Sequence, residues 1–360
     1  MVRISPWIAT YLLILMIACS PAQHTTGDYK IALVPSRAGQ NGIFIMNSDT
    51  TGGKLLMPDP MVQLTPFSWS PDGKKFAFFA ARRDDARVIT KYPMPYHFPL
   101  YMMDSGGFNR KRLFDYTVSS FKWSPDSRQL LYTSAYEDPE HADEAVKQGK
   151  KTPMSGIYLY NLQTGEQQRL SELGKNCFGD WSPDGARLAL SFGTDQSSDI
   201  YVVSLDGRHK RCLTESKSIN TRPVWSPDGK SIVYISADSP GSKDSSAGIY
   251  VINADGSGKR RVSEISGYEV AWSPNGKSLL IQSAAELVLA SADGSPSSDL
   301  TPVIGRPLDA VFTPDGKDVM FRLNYDGTWH LYAIKLDTKK LRQITGNLSA
   351  STFCLSPLRQ

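Results

Sequence analysis

The sequence predicts an all-β protein, a single β-propeller of four-stranded blades, and three observations carry this prediction. A Trp-Ser-Pro-Asp-Gly-like motif recurs along most of the 360 residues. Its copies begin 40 to 58 residues apart, close to the length of one four-stranded blade. The two ends of the chain supply complementary parts of one further blade. We therefore expect seven blades, or six if a weak unit folds differently, closed by pairing of the N- and C-terminal strands.

The recurring motif predicts a tight turn between two strands. Complete copies lie at residues 69–73, 123–127, 181–185, 225–229 and 272–276, with degenerate copies at 312–316 and 355–357. Proline presets φ for the first central turn position, Asp or Asn suits the second, and Gly accepts the left-handed conformation that follows. Ser127 replaces this glycine in the second copy. We expect its turn to be strained or differently closed.

Three strands follow each turn. The first is apolar on both faces, as in residues 232–235, which is typical of a strand buried between neighbouring sheets. The next carries Ile-Tyr and two further hydrophobic residues, as in 200–203, before a short outer strand. At the N-terminus, residues 29–34, 43–46 and 63–65 supply strands two to four, whereas 350–355 supply a first strand. Joining them hides the edges that an open array would expose.

The first 28 residues predict export and lipid attachment. The apolar run of residues 8–18 is shorter than the roughly 20 residues of a membrane-spanning helix and is typical of a signal peptide. Met16-Ile17-Ala18-Cys19 resembles a bacterial lipobox. We expect a signal peptide at 1–18, a lipidated Cys19 with a tether at 19–28, and the propeller at 29–360. The alternative is an ordinary cleaved signal with an incidental cysteine.

The charge balance bears on the partners of the protein, and the cysteine positions bear on its disulfides. The 40 Lys and Arg against 36 Asp and Glu form no concentrated run, so nucleic acid is not expected. We expect a monomer that touches the membrane only through its lipid anchor. Cys177, Cys212 and Cys354 are predicted to be small hydrophobes in strands, with one disulfide between Cys177 and Cys212 as the alternative. No cofactor is predicted.

The repeats resemble those of the TolB family of periplasmic propellers, in which Trp-Ser-Pro-Asp-Gly-Lys precedes an apolar strand and an Ile-Tyr strand. The resemblance covers roughly residues 29 to 357. It implies an envelope protein that binds other envelope proteins or a cell-wall component. Because Ser20 is not the Asp of retained lipoproteins, the lipobox resemblance implies the periplasmic face of the outer membrane.

Two long segments, residues 81–99 and 134–155, are predicted to share the face of the disc opposite the turns. Their aromatic and titratable side chains predict a binding surface, because Tyr, Phe and Met are enriched at interfaces. The candidate residues are Tyr92, Tyr96, His97, Phe98, Glu137 and His141. The alternatives are a loop covering apolar surface and a solvated acidic turn. A divalent metal held by the two histidines and Glu137 or Glu140 is not predicted, because spacing does not show that these residues meet.

A second candidate site is the mouth of the central channel. Polar residues predicted at the starts of the innermost strands would line it: Ser120, Asp180, Arg222, Glu269 and Asp309. They either receive a ligand or hydrate the channel.

These patterns favour a non-enzymatic envelope lipoprotein whose propeller binds a protein or a cell-wall ligand. A serine peptidase of the propeller class needs a Gly-x-Ser-x-Gly motif, which the sequence lacks. The alternative is a carbohydrate-active propeller enzyme, similar to a polysaccharide lyase, with a metal site in the channel. That enzyme needs a histidine cluster, and His97, His141 and His330 are too few for one.

Overall fold

A computed structural model describes most of the chain from residue 29 onward. The described ranges are 29–35, 42–56, 67–80, 98–134, 156–171, 175–194, 196–206, 208–215, 217–238, 247–265, 267–283, 286–296, 298–300, 307–324, 327–346 and 348–358. Within them the regular structure is entirely β, which confirms the predicted all-β class. No helix in these ranges has the length and apolarity needed to cross a bilayer.

The described chain contains 28 strands. The first half comprises β1 Lys30–Pro35, β2 Phe44–Asn47, β3 Lys54–Leu55, β4 Phe67–Trp69, β5 Lys75–Phe79, β6 Phe98–Asp104, β7 Lys111–Val118, β8 Ser120–Trp123, β9 Gln129–Ser134, β10 Gly156–Asn161, β11 Gln167–Arg169, β12 Lys175–Trp181, β13 Arg187–Gly193 and β14 Ser198–Ser204. The second half comprises β15 Lys210–Cys212, β16 Ile219–Trp225, β17 Ser231–Ala237, β18 Gly248–Asn253, β19 Arg260–Ser263, β20 Glu269–Trp272, β21 Ser278–Gln282, β22 Leu287–Ser291, β23 Ser298–Asp299, β24 Leu308–Phe312, β25 Asp318–Asn324, β26 Trp329–Lys335, β27 Leu341–Gln343 and β28 Ala350–Leu355.

The strands form five separate four-stranded sheets and one sheet of eight strands. The four-stranded sheets are β4–β7, β8–β11, β20–β23, β24–β27 and the sheet β28-β1-β2-β3. The eight-stranded sheet contains β12 to β19, and its halves meet where Ser198 of β14 pairs in parallel with Ile219 of β16. The number of separate four-stranded sheets is thus five, not the predicted six or seven, because this pairing fuses two units.

The ends of the chain pair as predicted. β28 lies antiparallel to β1, with Leu33 opposite Phe353 and Ile31 opposite Leu355. The Lys30 backbone N–H also donates a hydrogen bond to Ser356 Oγ at 2.8 Å. The outer strand of this sheet is β3, whereas the predicted strand at 63–65 lies outside the described residues.

Six of the motif turns close in the same way. The Ser or Thr hydroxyl donates to the Asp or Asn side chain two residues later, at 2.5 to 2.8 Å. The same hydroxyl accepts the backbone N–H five residues later, at 2.8 to 3.0 Å. Five turns have their glycine at φ 68° to 70°, and Ser127 adopts φ 62°, which confirms the expected strain at that position.

Successive turns also touch one another, and we call them together the turn ring. A Cβ added at Gly229 would lie 3.6 Å from Pro183 of the preceding copy, and the other motif glycines face the preceding proline at similar distances. In the second copy, Ser127 Oγ instead accepts a hydrogen bond from the Asp72 N–H at 3.0 Å. A Cβ added at Gly73 would lie 3.7 Å from Pro357, so the last copy lies next to the first.

The hydrophobic core lies between neighbouring units of four strands. Trp225, for example, belongs to a cluster that combines Ala189 and Ile200 of the first half of the eight-stranded sheet with Ile232 and Tyr234 of its second half. Similar clusters surround the other motif tryptophans and Phe312. Burial on both faces explains why the second strands are apolar throughout.

Cys177, Cys212 and Cys354 lie in strands β12, β15 and β28, and none of them forms a disulfide. The strand positions agree with the prediction. The alternative bridge between Cys177 and Cys212 is not present.

Candidate functional site

A cavity of about 270 Å³ lies among the innermost strands of the central channel. Five of these strands line it: β8, β12, β16, β20 and β24. Its wall is largely apolar, with Phe178, Val270 and Ala310 among the lining residues. Lys122, Arg222 and Glu269 supply its charged groups.

Arg222 is held in the cavity by an irregular backbone. Its φ is 53°, in the left-handed region, and the pairing of β16 with β17 shifts register between Thr221 and Val224. A non-glycine residue in this region costs about 1 to 2 kcal/mol, and such bulges redirect side chains. The guanidinium lies over the Phe178 ring, 4.5 Å from its centroid. The strand therefore accepts strain while placing a cation against an aromatic wall.

Asp309 has the same irregularity two innermost strands away. Its φ is 55°, beside a register shift between Leu308 and Val311. Its carboxylate accepts a hydrogen bond from Arg322 Nε at 2.6 Å. The Arg322 guanidinium is largely buried and lies 5.0 Å from the centroid of the Trp329 ring. Asp309 thus already forms an ion pair with Arg322.

Asp180 joins three innermost strands. Its Oδ1 accepts a hydrogen bond from Lys122 Nζ on β8 at 2.7 Å, and its Oδ2 accepts the Trp225 backbone N–H on β16 at 2.9 Å. Both carboxylate oxygens therefore have protein partners. The arrangement makes Asp180 a clamp between strands.

Glu269 is the first residue of β20 and remains accessible to solvent in the channel. The surrounding protein raises the pKa of its carboxyl above the ordinary value, and the Asp309 carboxylate adds to this effect. The cations Arg222 and Lys122 oppose it. Among the described residues, neither Glu269 nor Arg222 forms an ion pair. The cavity thus offers one carboxylate and one guanidinium for a ligand.

The predicted channel residues lie at different places along their strands. Ser120, Glu269 and Asp309 lie at or next to the starts of their strands. Arg222 lies in the middle of β16 and Asp180 next to the end of β12, so the predicted position at a strand start is wrong for both. Lys122 and Arg322 were missed. Aligning the copies on their tryptophans would have found Lys122, because it and Asp180 both precede that tryptophan.

Most of the predicted loop surface lies outside the described residues. Phe98 begins β6. Cys19, Tyr92, Tyr96, His97, Glu137 and His141 lie outside the described residues. In the part of the chain that is described, no three His, Cys, Asp or Glu side chains group as metal ligands.

Comparison with known protein families supplies the identity of the fold. The TolB beta propeller domain matches residues 85–306, more than half of the chain. The chain belongs to the TolB β-propeller family. This membership confirms the resemblance seen in the repeats.

Curated relatives of this family member carry several names. It is 28% identical over 221 residues to the uncharacterized peptidase YuxL of Bacillus subtilis, covering 59% of this chain and 30% of the relative. It is 24% identical over 345 residues to dipeptidyl-peptidase 5 of Porphyromonas gingivalis, covering 84% and 43%. A 79-residue stretch, 22% of the chain, is 40% identical to 15% of the Tol-Pal system protein TolB of Alcanivorax borkumensis. The chain thus spans less than half the length of these relatives.

Solved structures support the same fold. An oligogalacturonate lyase in complex with manganese superposes with a TM-score of 0.61 at 15% identity, covering 83% of each chain. The acylaminoacyl peptidase of Pyrococcus horikoshii superposes with a TM-score of 0.58 at 19% identity, covering 85% of this chain and 47% of the peptidase. At these identities the likeness shows the fold alone.

The comparisons correct one prediction. We expected a non-enzymatic protein, and that expectation is contradicted by relatives named as peptidases that align over 59% and 84% of the chain. The absence of a Gly-x-Ser-x-Gly motif does not exclude a peptidase, because the nucleophile of such an enzyme need not lie on its propeller.

Proposed function

We propose that this TolB-family propeller is the substrate-binding part of a peptidase-type enzyme and that short peptides bind in its central channel. The observation that carries the proposal is the cavity among the innermost strands. It combines an apolar wall with a carboxylate and a guanidinium that have no ion-pair partner among the described residues. Concave sites with few oriented polar groups are the usual form of small-molecule sites.

The charges of the cavity favour a peptide over a polyanion. Lys122 is paired with Asp180, so the two groups left for a ligand, Arg222 and Glu269, are opposite in sign, whereas a site for an acidic polymer would present mainly cations. The names of the relatives point to the same substrate class. The proposal assigns binding to this propeller and leaves peptide-bond cleavage to a catalytic group outside the cavity.

We also propose that the ring has seven radial units, with the eight-stranded sheet counted as two. A single parallel pair links its halves, and Trp225 packs between them. The turn ring supports this count, since each of the seven copies lies next to a neighbouring copy. A crystal structure with five or six radial units would contradict it.

An envelope location remains part of the proposal. Lipidation of Cys19 would hold the propeller at the periplasmic face of the outer membrane, beside envelope proteins, as a monomer. Metabolic labelling with radioactive palmitate should mark the wild-type chain and not Cys19→Ser. Equal labelling of both would contradict the anchor.

A carbohydrate-active propeller is the second candidate. It is favoured by the oligogalacturonate lyase structure, which matches this chain over 83% of both lengths. This candidate predicts a bound divalent metal and loss of activity on substituting His97 or His141. Elemental analysis of the purified protein separates it from the peptide-binding function.

The peptide function is tested by blocking the cavity. Equilibrium dialysis of the full chain against a mixture of short peptides should show retention by the wild type and loss of retention by Ala271→Phe, because the larger ring fills the channel beside β20. Ala186→Phe is the matched control, since Ala186 is exposed in a motif turn. Equal retention by all three proteins would contradict a channel site. In a parallel dialysis, retention of oligogalacturonides but not of peptides would favour the second candidate.

A further inference from the structure

The two available charges in the channel belong to adjacent units of the ring. Arg222 lies on β16 and Glu269 on β20, and both side chains line the same cavity. Every other acidic or basic group described there is paired: Lys122 with Asp180, and Asp309 with Arg322. The unpaired set is therefore one positive and one negative group.

The backbone places Arg222 in the cavity. Its left-handed φ and the adjacent register shift recur at Asp309, the equivalent position of β24, so this irregularity belongs to the innermost strands and the contacts of the side chain decide its role. The guanidinium lies over the Phe178 ring, and this contact leaves N–H groups for a ligand. A planar guanidinium held in this way matches the two oxygens of a carboxylate.

The size of the cavity limits the ligand. Pockets for drug-sized molecules occupy roughly 300 to 1,000 Å³. The channel cavity, at about 270 Å³, falls just below that range. An amino acid or a dipeptide suits this volume, whereas a longer peptide would extend out of it.

We propose that Arg222 and Glu269 form a two-point recognition site for a small zwitterion, an amino acid or dipeptide. The Arg222 guanidinium binds the ligand's α-carboxylate, and the Glu269 carboxylate binds its α-ammonium group. This assignment rests on the proposed peptide-binding function and narrows it to ligands whose two termini are both free. The apolar wall formed by Phe178, Val270 and Ala310 would contact the ligand side chains.

The test is a thermodynamic cycle between ligand groups and protein groups. Isothermal titration calorimetry on the full chain compares Ala-Ala with N-acetyl-Ala-Ala and Ala-Ala amide, against wild type, Glu269→Gln and Arg222→Gln. Acetylation should weaken wild-type binding about ten- to hundredfold, the loss expected for a hydrogen bond to a charged group. It should cause no further loss in Glu269→Gln. Amidation should weaken wild-type binding by a similar factor and should cause no further loss in Arg222→Gln.

Matched controls remove one charge of each sign away from the channel. Glu264→Gln and Arg208→Gln change side chains that are 87% and 81% exposed, and both should bind Ala-Ala like the wild type. Thermal unfolding checks that each variant folds. If Arg222→Gln does not fold, Arg222→Gly replaces it, because glycine tolerates the left-handed φ at this position.

Three outcomes would overturn the inference. If capped and uncapped dipeptides bind the wild type equally and Ala271→Phe still abolishes binding, the peptide function stands and the two-point assignment fails. If Ala271→Phe leaves binding unchanged, the channel site itself fails. If acetylation still weakens binding to Glu269→Gln, the ammonium group is bound by another residue.

Discussion

The turn ring and the channel cavity are built on opposite principles. In the turn ring, the same hydrogen bond from a hydroxyl to an Asp or Asn side chain recurs in six copies, and each turn lies close to a neighbouring turn. In the channel, equivalent positions of the innermost strands carry different residues, such as Arg222 on β16 and Asp309 on β24, although the left-handed φ recurs at both. Repeated side chains therefore mark the scaffold of this protein, and changing side chains on a repeated backbone mark its candidate site.

The largest difference between the two regions should appear in core aromatics. Trp225→Ala should lower the free energy of unfolding by about 3 to 5 kcal/mol, because the side chain is 4% exposed and packs between two units. Phe178→Ala, at the half-buried cavity wall, should cost less than half as much. Urea unfolding measures both, and similar losses would show that the cavity wall is also scaffold.

Asp180 tests the distinction between scaffold and candidate site, because it lies in the channel but connects neighbouring innermost strands through hydrogen bonds. Asp180→Ala should cost about 1 to 3 kcal/mol, since it leaves the Trp225 N–H without its acceptor. Lys122→Ala should cost about 1 kcal/mol or less, because the lysine is 47% exposed and only the ion pair is lost. Equal losses in urea unfolding would mean that the ion pair, and not the backbone contact, makes the clamp.

Left-handed positions should respond in opposite ways in the two regions. Gly229→Ala should destabilise the protein by about 1 to 2 kcal/mol, because alanine is strained at φ 68°. Arg222→Gly should change the free energy of unfolding by less than about 1 kcal/mol, since relief of strain offsets the lost contact with Phe178, and it should abolish dipeptide binding. Strong destabilisation by Arg222→Gly would assign that arginine to the scaffold.

The smallest effects concern pH, and their signs differ. Hydrogen bonds from Ser182 and Ser226 lower the pKa values of Asp184 and Asp228, so these carboxylates stabilise the fold above about pH 4 and lose that contribution as the pH falls through the lowered values. Desolvation by the surrounding protein, with a smaller effect of the Asp309 carboxylate, raises the pKa of Glu269, so the folded state binds its proton more tightly and gains stability as the pH falls through the raised value.

Urea unfolding between pH 3 and pH 7 checks both signs. The stability of wild type relative to Asp228→Asn should decrease toward low pH, whereas its stability relative to Glu269→Gln should increase. Parallel curves for all three proteins would contradict the assignments.

The sequence predicted the parts of the fold that repeat. The positions of Trp69, Trp225 and Pro227 were enough to place the turns and the innermost strands, because turn chemistry and hydrophobic patterning are local properties of the sequence. It could not predict that Ser198 pairs with Ile219 and fuses two units, since that contact depends on how neighbouring sheets are inclined.

The candidate site was only half predictable. Arg222, Glu269 and Asp309 were expected at the channel and lie in its innermost strands. Which charges remain available depends on partners in other units, such as Arg322 for Asp309 and Lys122 for Asp180. No local pattern in the sequence encodes those pairs.

The most direct test of a zwitterion site in a repetitive scaffold is a crystal structure of the full chain grown with saturating Ala-Ala. The account predicts one dipeptide in the central channel, its carboxylate on Arg222 and its ammonium group on Glu269, with the turn ring unchanged. A dipeptide bound outside the channel, or an empty channel at saturation, would contradict it.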